Sequence, residues 1–125
     1  MKTQIFIFII FFFLLFSLSC KKSKEKKVVG AWELIIFAPG VTDKTIWTFY
    51  DSDLLMILHT DSSGIQVSSD TANYEVKERF FKYYVDITNL SDDENGSYHI
   101  DKLNNSVLIL QLQKPNYIRN EFVKK

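Results

Sequence analysis

Residues 72–88 read ANYEVKERFFKYYVDIT. Tyr74 and Val76 alternate with Asn73, Glu75 and Lys77. Phe81, Tyr83, Val85 and Ile87 then alternate with Lys82, Tyr84, Asp86 and Thr88. Successive side chains of a strand point to opposite faces, so this period of two predicts strands with one apolar face each. The break between them is too short for a crossover, which makes them antiparallel neighbours. The same pattern continues outward. Tyr98 and Ile100 oppose Ser97, His99 and Asp101, and Leu108, Leu110 and Leu112 oppose Ile109, Gln111 and Gln113.

Nine strand segments are expected in all: Gly30–Phe37, Thr45–Tyr50, Leu54–Thr60, Ile65–Ser68, Ala72–Glu78, Phe80–Thr88, Ser97–Lys102, Ser106–Gln113 and Tyr117–Lys124. Pro39-Gly40, Asp51-Ser52-Asp53, Ser62-Ser63-Gly64, Asn95-Gly96 and Asn104-Asn105 punctuate them with turn chemistry. No helix-length period separates the segments, which argues against parallel crossovers. The expected fold is all-β, a small antiparallel up-and-down barrel of eight or nine strands, with a β-sandwich as the alternative.

The N-terminus differs from this body. Residues 5–16 read IFIFIIFFFLLF, without a polar residue. Lys2 precedes them, and Ser17-Leu18-Ser19 lead to Cys20, the one Cys among 125 residues. This is a secretory signal layout. A lone Cys excludes a disulfide-stapled scaffold. Residues 21–27, KKSKEKK, carry a net charge of +4, whereas Val28–Lys125 holds nine bases against fourteen acids, a net −5. The overall balance of 15 bases and 15 acids therefore hides a basic tether and an acidic body, and it excludes the broad basic face of a nucleic-acid binder. So polar a tether is expected to be flexible, with Lys groups near anionic headgroups. The expected organisation is 1–19 signal peptide, 20–27 lipid-bearing Cys and tether, and 28–125 barrel domain.

Residues 1–20 resemble the signal of bacterial lipoproteins, in which a small residue precedes an invariant Cys. Ser17 departs from the pattern, since Leu is usual there and Leu18 falls one place late. The resemblance implies a diacylglyceryl group on Cys20, cleavage before it, acylation of the freed amine by a fatty acid such as palmitate, and a lipid-anchored place in the cell envelope. The outer membrane, facing the periplasm, is the expected location. The alternative is an uncleaved anchor.

Val28-Val29-Gly30-Ala31-Trp32 resembles the Gly-x-Trp opening of the lipocalin and lipocalin-like families. Thr45–Tyr50 falls where those proteins carry an aromatic second strand, and Tyr98-His99-Ile100 with Leu108-Ile109-Leu110 resembles their later hairpin. The resemblance implies a barrel closed at one end by Trp32, with Arg119 from the last strand packed over the ring. It also implies a small apolar or aromatic ligand inside.

Little else in the chain points to chemistry. His59-Thr60-Asp61 and His99-Ile100-Asp101 share a spacing, but a metal needs three or four convergent ligands, so no metal or other cofactor is expected. No Ser lies in a nucleophile elbow, the body has no Cys, and no enzymatic activity is expected. Ser91–Gly96 lacks the ligand spacing of a calcium loop. Asp70-Thr71-Ala72 resembles a bacterial O-glycosylation triplet. Trp47, Phe49, Tyr74, Tyr83 and Tyr98 each occupy the apolar phase of a strand, which makes them the expected walls of a ligand pocket. Two uses are therefore open for an envelope lipoprotein with this barrel. One is binding a small apolar ligand between those rings. The other is a filled barrel that engages an envelope protein as an inhibitor, immunity or assembly factor. Interior volume separates them.

Overall fold

A computed structural model describes residues 1–15 and 20–125 in full and residues 16–19 as backbone only. The Ser17-Leu18-Ser19 part of the signal pattern thus lies outside the described side chains. Helix α1 (Lys2–Val28) is followed by eight strands: β1 (Gly30–Leu34), β2 (Lys44–Phe49), β3 (Leu54–Thr60), β4 (Gln66–Arg79), β5 (Lys82–Thr88), β6 (Gly96–Leu103), β7 (Val107–Leu112) and β8 (Ile118–Lys124). Every neighbour pair is antiparallel, and β8 returns to β1 with Trp32 opposite Lys124, closing the barrel. The small up-and-down, lipocalin-like barrel is the observed fold, and the sandwich alternative falls away because no sheet edge is left open.

The nine expected segments form eight strands. Gln66–Ser68, from the expected Ile65–Ser68 segment, and Ala72–Glu78 are parts of one 14-residue strand, β4, whose first half pairs with β3 and second half with β5. Phe80 and Phe81 also leave the expected strand. They form the two-residue tip between Arg79 and Lys82, and both are almost wholly exposed. Tyr117 likewise lies outside β8 and is exposed.

The alternation otherwise holds. Tyr74, Val76, Val85, Ile87, Tyr98, Ile100, Leu108, Leu110 and Leu112 are buried. Ile109, on the opposite phase, is buried as well. The interior is filled by an aromatic column. Trp47 meets Phe122 at 5.1 Å between ring centroids, Phe49 at 6.2 Å and Tyr98 at 6.2 Å, and Phe49 meets Tyr74 edge-on at 4.9 Å. An eight-stranded barrel has just enough interior for its own side chains, and these rings use it.

The two ends differ. At the end where α1 joins β1, Val28 and Trp32 are completely buried. Trp32 Nε1 donates to the Val28 carbonyl at 2.8 Å, and Lys124 Nζ donates to the Val29 carbonyl at 2.8 Å while lying 4.3 Å from the Trp32 ring centroid. Gly30 makes this possible, because a β-carbon there would collide with the end of the Lys124 side chain. The ring therefore does carry a cation, but it is Lys124 and not Arg119. Phe122 and Lys124 share the inward phase of β8, which turns Arg119 outward to Asp101 at 3.2 Å and Glu121 at 3.1 Å. Burial disfavours the charged ammonium and pushes the Lys124 pKa down.

The tether is not a free coil. Helix α1 runs through residues 21–27 to Val28. Lys and Glu are good helix formers, Lys21 and Glu25 pair at i,i+4 with 3.7 Å between charges, and Lys26 and Lys27 complement the carboxyl end of the helix. The helix is long and apolar enough to cross a membrane, with a mean hydropathy of 2.4 over its best window, none of it buried against the body. A signal sequence near the N-terminus meets the same test.

On the outer wall, Asp86 gathers Arg79 at 2.7 Å, Lys77 at 3.4 Å and the Ser97 hydroxyl. Burial works against its charge, but the bonds from Ser97 and Arg79, the Arg79 charge and the bond from Lys77 outweigh it and hold the carboxyl below its ordinary value.

Candidate functional site at the open mouth

The end opposite α1 is formed by the β1–β2 loop (35–43), the β3–β4 turn (61–65), the β5–β6 loop (89–95) and the β7–β8 turn (113–117). Here the inward phase becomes polar. Thr45 continues the phase of Trp47 and Phe49, His59 that of Leu55 and Ile57, Asp70 that of Ala72 and Tyr74, and Asn120 that of Phe122. Thr45 Oγ1 lies 3.1 Å from His59 Nδ1, and His59 Nε2 lies 3.7 Å from Asp70 Oδ2. With Glu94, Leu34 and Ile118 these residues line a cup of about 170 Å³ whose floor is Trp47, Ile57 and Tyr98.

Beside the cup, a cleft of about 400 Å³ runs beneath the β1–β2 loop, lined by Leu34, Ile35, Ile36, Val41, Lys44 and Val123 among others. The rim exposes large apolar side chains. Phe37 is 81% exposed and Tyr117 67%, and Ile36, Val41, Ile65 and Val67 are exposed too. A groove of about 270 Å³ elsewhere, lined by Lys82, Tyr84, His99 and Gln111 among others, lies on the outer wall and not in the barrel.

The five aromatic residues expected to share one pocket do not. Trp47 and Tyr98 reach the cup. Phe49 is sealed within the column, 1% exposed. Tyr74 sits at the end where α1 joins the barrel, its hydroxyl bonded to the Tyr50 carbonyl. Tyr83 lies outside the column beneath Lys24, whose Nζ is 5.6 Å from the ring centroid, and close to the exposed Cys20. Gly30 and Trp32 belong to the floor at the α1 end and Arg119 to the outer wall. The two His residues do not converge, since His99 stacks on Tyr84 outside, 5.3 Å between ring centroids. Among the described residues, no group of three or more His, Cys, Asp or Glu could hold a metal. Asp70 and Thr71 are exposed in mid-strand, with Ala72 buried beside them.

Sequence reasoning missed the ring of Thr45, His59, Asp70 and Asn120. The signal was present in the phase of each strand, extended two residues past the last apolar side chain. It was obscured because His59 was weighed with Asp61, its neighbour in the chain, and not with Asp70 across the β3–β4 ladder.

Burial of the two columnar Tyr residues has a measurable effect. Tyr98 donates to the Glu94 carbonyl at 2.7 Å, and burial with the nearby Glu94 charge pushes its pKa up to about 12. Burial, with Asp53, Asp51 and Glu25 nearby, does the same for Tyr74, to about 12. Folded pKa values above the unfolded one mean stability that is intact below pH ~10 and is lost as pH rises through the folded values. Ultraviolet titration should show these two phenols ionising at about pH 12, together with unfolding. Their ionisation near pH ~10 in the folded protein would contradict their burial.

The chain matches no protein family, no curated protein and no solved structure.

Proposed function

We propose that this protein is an envelope lipoprotein, held by acyl chains on Cys20, whose filled barrel engages a protein partner through its open mouth. The observation that carries this reading is the closed aromatic column. It leaves a cup of about 170 Å³ at the mouth, below the roughly 300 Å³ at which pockets for free small molecules begin. The cup, the adjoining cleft and exposed Phe37 and Tyr117 form a surface of the kind that protein interfaces use, an apolar patch with a pocket for one anchoring side chain. His59, Asp70 and Glu94 at its wall supply orientation and charge. An inhibitor, immunity or assembly role fits such a surface. The outer membrane, with the body in the periplasm, is the proposed address.

A second reading keeps the small ligand. Trp47 and Tyr98 form the cup floor, so one aromatic ring could enter without disturbing the column. Phe37→Asp and Tyr117→Asp separate the two. Removing an interface anchor costs on the order of 2 kcal/mol, about thirtyfold in affinity. Each variant should therefore lose its partner in co-purification from envelope extracts while its fold, by circular dichroism, is unchanged. Retention of the partner by both would overturn the proposal. A co-purified small molecule lost on Trp47→Leu would favour the second reading.

A further inference from the structure

The tip of the β4–β5 hairpin has no role in the fold. Phe80 and Phe81 are 95% and 96% exposed. Both adopt positive φ, 51° and 63°. A two-residue turn of this kind favours Asn and Gly, and a bulky side chain there adds backbone strain. An aromatic pair in these positions is unfavourable twice over, in water and in backbone conformation, and the barrel gains no packing from it.

Its place is informative. The hairpin projects from the anchor end, the same end from which α1 leaves the barrel. Helix α1 touches the hairpin, with Lys24 over Tyr83 and Cys20 beside it. Eight residues of helix carry Cys20 ~12 Å beyond Val28. Three strand residues carry Arg79 ~10 Å beyond buried Val76, with the Phe pair further out. The anchor point and the aromatic tip therefore reach a similar level. Lys82 beside the tip, and the Lys residues of 21–27, stand where headgroups would lie.

We propose that the Phe80–Phe81 tip inserts into the interfacial zone of the bilayer that holds the N-terminal anchor, so that the barrel stands with its mouth away from the membrane. The choice of a bilayer rests on the envelope-anchored reading above. Two contacts, one lipid-borne at the helix and one aromatic at the hairpin tip, fix an orientation that a single anchor cannot.

The full-length protein, purified from its own envelope as Phe81→Trp or Phe37→Trp, is reconstituted into phosphatidylethanolamine–phosphatidylglycerol vesicles with or without brominated acyl chains. The parent chain, with buried Trp32 and Trp47, gives the background. The emission added by Phe81→Trp should be largely lost on bromination, and that added by Phe37→Trp retained. Intact mass reports separately on Cys20. An acylated chain whose Phe81→Trp emission is not quenched overturns the tip proposal and leaves the anchor standing. Equal quenching of both variants overturns the upright orientation. Quenching of Phe81→Trp alone in an unacylated chain supports the tip and sinks the lipid on Cys20.

Discussion

Trp32→Ala should bring the body close to unfolding at room temperature. The ring is completely buried, its Nε1 bonds the Val28 carbonyl at 2.8 Å, and its face carries Lys124. Truncating a buried Trp costs about 3–5 kcal/mol, against a total of about 5–15 kcal/mol for a small domain. Removing the indole also leaves the Val28 carbonyl and the Lys124 ammonium at the edge of a cavity. Urea denaturation of the body, residues 28–125, reads this directly. A cost below about 1 kcal/mol would mean that the Gly-x-Trp segment is not the floor of the barrel. Trp32→Phe should cost less, because a ring still fills most of the space and only the hydrogen bond and part of the area are lost.

The second large effect is one of place. Cys20→Ala should move the protein from the membrane to the soluble periplasmic fraction, or leave it as an uncleaved precursor. Each buried methylene of an acyl chain contributes about 0.8 kcal/mol, and two or three chains give stable anchoring where one is marginal. The body, with its net −5 charge, offers no comparable hold, and two Phe at a hairpin tip orient a tethered protein without retaining a free one. Fractionation and intact mass check this. A mature N-terminus at Cys20 without acyl chains would exclude the lipoprotein reading.

The wall of the barrel was legible in the sequence wherever one face is buried along the whole strand, as in β5, β6 and β7. It failed where the environment changes along a strand. Ser69-Asp70-Thr71 reads as a break because both phases are polar, yet it lies within the distal half of β4, which begins at Gln66. Its inward positions, Ser68 and Asp70, face a wet mouth and not the core, so no apolar residue is required. The tether failed for a different reason. Burial cannot order it, but helix propensity, one i,i+4 pair and the buried end at Val28 can. The resemblance implies Arg119 as the partner of Trp32, whereas the phase of Phe122 assigns the inward position to Lys124. At the site, the cup was invisible because its polar members come from four strands. The register Thr45↔His59, the pairing of Ile57 with Asp70 and the closure of β8 onto β1 bring them together.

The central claim is that one end of a filled barrel is tied to the membrane and the other meets a protein. Photo-crosslinking in the living envelope tests it most directly, with a benzophenone amino acid placed at Phe37 on the rim, at Thr71 on the outer wall, or at Phe81 on the hairpin tip. The account predicts one discrete protein adduct from position 37, none from position 71, and lipid adducts from position 81. A protein adduct at position 81 with none at position 37 would contradict it.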